Sequence, residues 1–321
     1  MDRSRVLVAT GALPLVLTVL LAGVAQALPE PILWVNGVKH LLLAAARLAP
    51  LLWLPWAVWA ARQGAWPGAI VAALLALIGG GLPPIDDADG PGLVIVAANV
   101  QAFVEDVPAL EAALATFDAD VLVTIEKRGE QIAGMRRVAD NYSRPLPRTS
   151  HGFAVYCRDG VDCDAEITEE IGPKGCSQPM ALVRVNQGAL CLVGVHVPPP
   201  VPLCAEGAPP YVAHVAEAIT DGRLNGDLGP CRAGDPALVM GDLNAVRGSE
   251  PHKTLLARGL VDPLRWRGIW ATSWPSGGRW PNLPLLQIDH AFVGALDVEG
   301  ARLHRVPDSD HKALRLRVRP G

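Results

Sequence analysis

The stretch ALVMGDLNAV, Ala237 to Val246, runs from apolar residues straight into Gly241, Asp242, Leu243 and Asn244. On a strand, residues two apart point to the same side, so a carboxylate at 242 and a carboxamide at 244 can address one spot together. Gly, Asp and Asn are also turn residues, and alone the stretch reads best as a turn. Similar groups recur where other apolar runs end. Asn99 ends LVIVAAN, Glu126 follows VLVTI, His196 ends ALCLVGVH, Asp289 interrupts LLQIDHAFV, and Asp310 and His311 stand just before ALRLRVR. Each has a plain explanation of its own: a turn former, a solvated strand end beside Lys127, a loop histidine before PPP, an edge-strand charge, a capping Asp. As a set they supply carboxylates, carboxamides and two histidines. That is the inventory for a hard divalent metal, a general base and a proton donor.

Such groups need strands to carry them. Apolar runs at LVIVAANV, DADVLVTIEK, GFAVYCR, PMALVRV, ALCLVGVH, ALVMGDLN, LLQIDHAFV, VEGARLHRV and ALRLRVR read as strands. VPALEAALATF has helical spacing at Val107, Leu110, Leu114 and Phe117; QIAGMRRVAD reads as helix-like, and a further helix is expected at about Pro210 to Asp221. Strands dominate and helices interleave, which predicts an α/β fold of two packed sheets with helices outside.

The 321 residues divide sharply in composition. Only five basic and two acidic residues precede Asp86; the remainder holds 23 basic and 30 acidic residues, a net of −7. The first part predicts a transmembrane region, 1–85, with helices at 6–28, 41–61 and 65–82, each near the ~20 residues a bilayer needs. Arg3 and Arg5 keep its start cytoplasmic. Ala25 and Ala27 resemble a signal-peptidase site, but the run is longer than most signal segments and is read as an uncleaved anchor. Arg47 interrupts the second segment, and Trp53, Trp56 and Trp59 suit a membrane interface. Residues 86–92 form a linker, and 93–321 a catalytic domain outside the cytoplasm. An acidic domain without a basic cluster makes nucleic acid a less favoured partner.

All six cysteines, Cys157, Cys163, Cys176, Cys191, Cys204 and Cys231, lie in this second part. An even number facing an oxidising space predicts disulfides, with near-neighbour pairs 157–163, 176–191 and 204–231. No C-x-x-C spacing points to structural zinc.

In order, AANV, VTIEK, GVHVPP, MGDLN, QIDHAFV and SDHKAL resemble the motif series of the endonuclease/exonuclease/phosphatase superfamily, the deoxyribonuclease I-like phosphoesterases, over about Leu93 to Val318. The resemblance implies a four-layered α/β-sandwich with two central, mostly antiparallel β-sheets. It also implies hydrolysis of a phosphate ester with magnesium or manganese. By match, Glu126 would be the main metal ligand, with Asn99 beside it and Asp310 contributing. Asp242 would orient or deprotonate the attacking water and Asn244 hold a phosphate oxygen. His196 and His311 would stabilise charge or protonate the leaving oxygen, and Asp289 orient His311. Ile125 stands where many relatives carry Gln. His151 is read as a surface histidine, and Trp270, Trp274 and Trp280 as either a rim for an apolar substrate or packing. A helical anchor with an exported phosphoesterase domain is similar to bacterial membrane phosphoesterases of the teicoplanin-resistance type, which points to an envelope lipid phosphate or pyrophosphate as substrate.

Overall fold

In the computed structural model of the chain, the described residues are 16–25, 38, 41–42, 45, 52–64, 69–73, 90–102, 104–126, 131–141, 152–173, 175–186, 190–201, 204–220, 223–224, 227–228, 234–277 and 282–320. The chain divides into two compact units, Met1–Pro83 with Arg265–Ala271, and Pro84–Leu264 with Thr272–Gly321.

The first unit holds helix α1 (Trp53–Arg62) and helical stretches at 16–25 and 69–73. Its burial is inverted relative to a water-soluble core. Ala25, Ala57, Ala60, Ala69 and Ala72 are buried, whereas Val19, Leu20, Leu54, Val58, Ile70 and Val71 are exposed. No described helix is long and apolar enough to cross a membrane. The crossings expected at 6–28, 41–61 and 65–82, and the linker at 86–92, extend over residues outside the described ones.

The second unit is built on two sheets. In the first, β1 (Leu93–Asn99) lies between β2 (Val121–Ile125), which it pairs in parallel, and the antiparallel β15 (Lys312–Pro320). Beyond them come β4 (Phe153–Arg158) with β3 (Met135–Asp140), and β14 (Leu296–Arg305) on the other edge. The second sheet has the order β13 (Asp289–Gly294), β10 (Ala237–Asp242), β7 (Leu190–His196), β6 (Ala181–Val185) and β5 (Cys163–Ile167), with only β7 and β10 parallel. Two short hairpins, β8 (Arg223–Leu224) with β9 (Asp227–Leu228) and β11 (Trp274–Ser276) with β12 (Asn282–Leu286), complete the strands among the described residues.

Each parallel pair is closed by a crossover helix, as parallel neighbours require. Helix α2 (Val107–Ala115) joins β1 to β2; Asp106 caps it by accepting the Ala109 amide at 3.0 Å. Helix α3 (Ala208–Thr220) joins β7 to β10, and α4 (Glu250–Ala257) follows β10. The faces follow from alternation. Val94, Val96 and Ala98 pack with Leu110 and Leu114 of α2. Val193, Val195, Val239 and Phe292 pack with Tyr211, Val215 and Leu255 of α3 and α4. The intervening positions, among them Asn99, His196, Asp242 and Asp289, therefore turn toward the space between the sheets. The result is the expected four-layered α/β order, helix, sheet, sheet, helix, with each sheet antiparallel apart from one pair. At Gly194 a Cβ would come within 2.8 Å of Val123 Cγ1 across that space, so the close approach needs glycine.

Two local expectations are corrected. QIAGMRRVAD is not helical: Gly134 sits at φ 74°, and Met135–Asp140 is an edge strand with Arg136 and Arg137 exposed. The bridges are Cys157–Cys163, as expected, and Cys176–Cys204, which replaces 176–191 and 204–231. Ala181 pairs with Gly194, so Cys176 lies beyond the His196 end of β7, where the chain continues to Cys204; Cys191 begins near the other end. Cys191 is also disulfide-bonded, and Cys231 lies outside the described residues.

Candidate active site at the strand ends

Register brings the site together. Asp242, the last residue of β10, is paired with His196 at the end of β7 on one side and with Asp289 at the start of β13 on the other. Across the sandwich, Asn99 ends β1 beside Ile125, and Glu126 follows it. Asn99 Nδ2 joins the two sheets, donating to Glu126 Oε1 and to Asp242 Oδ2 at 3.1 Å each. His196 Nε2 lies 3.7 Å from Glu126 Oε1 and 3.8 Å from Asp242 Oδ2. His311 Nδ1 donates to Asp289 Oδ2 at 2.9 Å, which turns Nε2 to within 3.8 Å of Asp242 Oδ2. Asp310 accepts from Trp274 Nε1 at 3.0 Å, with its other oxygen 4.0 Å from His311 Nε2. Seven of the eight residues expected from the sequence meet here, and Asn244 adjoins them through its amide hydrogen bond to Asp242.

The backbone is bent to achieve this. Gln101, Glu126 and Asn244 all have positive φ, at 58°, 62° and 48°. Such conformations cost of order 1 kcal/mol each for non-glycine residues and collect at functional sites. Asp242 and Asn244 are both strand end and turn: the Asn244 amide donates to Asp242 Oδ1 at 2.8 Å, and Asn244 Nδ2 donates to the Val197 carbonyl at 2.9 Å. Gly241 has φ 144°, and a Cβ there would meet the Val195 carbonyl oxygen, so β7 and β10 can lie side by side at the site only with glycine.

Burial raises Asp242 to about 6, against the opposing charge of His311. Burial likewise holds the Glu126 carboxyl above its ordinary value, although Asn99 donates to it. Burial alone would lower His311, but Asp289 and Asp242 outweigh it and lift the imidazole to about 10. Four carboxylates thus face two histidines. An oxygen-rich site with this surplus of negative charge fits a hard divalent cation. Glu126, Asn99 and Asp310 would hold it, since the Asp310 charge reaches Glu126 and Asn99 Oδ1, which accepts the Gln101 amide at 3.1 Å, keeps a second lone pair. Asp242, Asp289 and His311 also offer ligand atoms within 4.8 Å of one another, but Asp289 and His311 are already hydrogen-bonded to each other.

The model of the Endonuclease/Exonuclease/phosphatase family matches residues 96–311, which span every strand end just described. The chain belongs to this family. No curated protein sequence matches it. Solved structures share the family's fold at low identity. A conserved protein of unknown function from Enterococcus faecalis aligns at 17% identity over 71% of this chain and 100% of its own, with a TM-score of 0.52. A mannosyl-6-phosphatase from Bacteroides thetaiotaomicron aligns at 13% over 71% and 99%, TM-score 0.50. A 3′ phosphatase from Neisseria, bound to a product DNA hairpin, aligns at 16% over 71% and 99%, TM-score 0.50. The family comprises phosphoesterases and nucleases that typically use divalent metals, so the coarse assignment of the chain is to phosphoester hydrolysis.

Around the family's motif residues stand others that sequence reasoning missed. Ser309 Oγ donates to the Asn99 carbonyl at 2.7 Å and accepts the His311 amide at 3.0 Å. Ser273 Oγ accepts the Asp289 amide at 3.1 Å, and the Tyr211 hydroxyl accepts the His196 amide at 3.1 Å. The adjacency of Ser309 to Asp310 was the only signal; the other two hydroxyls carry none. Behind the site, on the helix side of the second sheet, Asp262 Oδ2 accepts from Arg247 Nε at 3.1 Å and His252 Nε2 at 3.2 Å. Arg247 and His290 are bridged by Gln287, and His290 Nε2 donates to the Ala245 carbonyl at 2.9 Å. His252, Asp262 and His290 have metal-like spacing, but the Arg247 guanidinium on the same carboxylate opposes a cation, and the cluster reads as structural. His151 and Trp280 lie outside the described residues.

Proposed function

We propose that the protein is a membrane-anchored, divalent-metal-dependent phosphoesterase that hydrolyses an envelope lipid phosphate or pyrophosphate outside the cytoplasm, with magnesium as the natural ion. The observation that carries the catalytic part is the in-register row His196, Asp242 and Asp289, tied to Glu126 through Asn99. A divalent ion held by Glu126, Asn99 and Asp310 would polarise the phosphoryl group and offset its charge. Asp242, raised to about 6, is placed to take a proton from the attacking water near neutral pH. Asn244 keeps one Nδ2 hydrogen beyond its bond to Val197 and can donate it to a phosphoryl oxygen. His311, held as the imidazolium by Asp289, stabilises charge developing on phosphorus or protonates the leaving oxygen, with His196 flanking from the other side.

The membrane part draws on the inverted burial of the first unit. Small residues inside and large apolar ones outside is the packing of helices among lipids, where small side chains let backbones approach. The disulfides suit an oxidising compartment outside the cytoplasm. The second reading is an extracellular nuclease. The Neisseria neighbour is bound to DNA, but the net of −7 after residue 85 disfavours a polyanion. A non-catalytic member of the fold is the least favoured, since Glu126, Asp242 and His311 are all present.

The test is the purified chain with bis(4-nitrophenyl) phosphate, a polyprenyl pyrophosphate and plasmid DNA in magnesium. The reading expects turnover that the Asp242→Asn variant loses by at least about 100-fold while staying folded, with the lipid preferred. Undiminished turnover in that variant rejects the site, and a strong preference for DNA rejects the substrate class.

A further inference from the structure

The tryptophans are unevenly placed. Of nine, Trp34, Trp53, Trp56, Trp59 and Trp66 precede the catalytic region, and Trp266, Trp270, Trp274 and Trp280 fall within fifteen residues of one another. The catalytic region has no others. Charge is uneven in the same place. Residues 251–288 carry five Lys or Arg and one acidic residue, Asp262, and that carboxylate is buried and paired. A Trp-rich stretch with a sparse positive balance, too dispersed to be a basic cluster, thus sits in an otherwise acidic sequence.

The segment Arg265–Ala271 belongs to the same compact unit as Met1–Pro83, and it shares that unit's inverted burial. Gly268 and Ala271 are buried together with Arg267, while Trp266 and Trp270 are 66% and 51% exposed. The Arg265 guanidinium lies over the Trp266 ring, 5.5 Å from its centroid. Most of the exposed large apolar residues among the described ones belong to this unit. A water-soluble protein does not present such an array to solvent without a cover.

We infer that Arg265–Ala271 is a membrane-surface contact, with Trp266 and Trp270 seated at the interface of an anionic lipid layer and Arg265 on its phosphates. Indole rings favour that boundary because one edge is apolar and the N–H finds a polar partner. Basic side chains beside them add attraction to anionic headgroups. Lipid is the occupant that matches both features at once: apolar side chains on the rest of the unit, and the Arg265 guanidinium against Trp266.

This inference rests on the membrane-anchored reading above, and the experiment separates the two. The full chain is reconstituted in phosphatidylglycerol vesicles after Trp266→Cys or Trp270→Cys substitution and nitroxide labelling; no described native cysteine is free to react. Glu166→Cys, at an exposed position of β5, is the aqueous control. Labels at 266 and 270 should collide more with oxygen than with a water-soluble nickel chelate, and the control should do the reverse. Replacing both tryptophans by Ala should slow turnover of a vesicle-borne polyprenyl pyrophosphate by about tenfold or more while leaving turnover of soluble bis(4-nitrophenyl) phosphate unchanged. If the chain floats with the vesicles but labels at 266 and 270 favour nickel, the inference is overturned and the anchor stands. Spin–spin broadening between labels that persists in detergent without lipid would overturn it in favour of a second copy of the chain. A chain that does not float overturns both readings.

Discussion

Replacing Asp289 with Asn preserves shape and removes the charge that orients His311. Burial alone would lower the His311 pKa, yet Asp289 and Asp242 raise it from 6.5 to about 10. That rise corresponds to roughly 5 kcal/mol in favour of the imidazolium. Asp289 is the largest favourable contributor, and its hydrogen bond spans 2.9 Å. Its removal should therefore cost about 2–3 kcal/mol, in the upper part of the range for a hydrogen bond to a charged group. If His311 acts as the imidazolium in the transition state, kcat/KM falls roughly 30- to 150-fold. The sign of the pH effect follows. A raised histidine pKa keeps the active cation up to about 10 in the native enzyme, so activity is lost only as pH rises through that value. In Asp289→Asn the alkaline limb should move down by roughly two pH units. The assay is the pH profile of kcat/KM on bis(4-nitrophenyl) phosphate, with circular dichroism to confirm folding. A folded variant within twofold of the parent, with its alkaline limb unmoved, would refute the role of the pair.

Three further outcomes are expected. Asp262 is held at about 2: burial opposes its charge, but His252 and Arg247 outweigh that. A depressed carboxyl contributes stability that is present above its unfolded value of roughly 3.9 and lost as pH falls through about 2. Asp262→Asn should cost about 2–3 kcal/mol in denaturant unfolding at pH 7 and much less near pH 2. Gly241→Ala should prevent folding, by about 3 kcal/mol or more, because its Cβ would meet the Val195 carbonyl; normal thermal unfolding of that variant would contradict the close approach of β7 and β10. The Cys176–Cys204 bridge spans 28 positions, and its replacement by serines should cost about 3.6 kcal/mol on the chain-entropy account, read from the denaturant midpoint.

Much of this was legible because the site sits at the ends of continuously buried strands. Apolar runs such as Leu93–Asn99, Leu190–His196 and Ala237–Asp242 announce themselves, and the polar residue that ends each one stands out. Strand registry then did what the sequence could only suggest, lining up His196, Asp242 and Asp289. Reading failed where local pattern misled. Ile132, Met135 and Val138 are three apart, as on a helix face, yet Gly134 and pairing with β4 make residues 135–140 a strand. Helix α4 was missed although Ser249 and Pro251 form a recognisable start. Near-neighbour pairing of cysteines failed because sequence distance ignores which end of β7 each residue reaches. Ser273 and Tyr211 hold backbone amides, a role set by tertiary contact that residue type does not announce.

The central claim is that Glu126 holds the ion on which phosphoester hydrolysis depends. Its most direct measurement is turnover of bis(4-nitrophenyl) phosphate by the EDTA-stripped chain during a magnesium titration, for the parent and for Glu126→Gln. The account predicts negligible turnover without metal, recovery on titration, and a loss of at least about 100-fold in the variant with weakened magnesium binding by calorimetry. Metal-free turnover equal to the saturated rate, or a Glu126→Gln variant that binds magnesium and turns over like the parent, would contradict it.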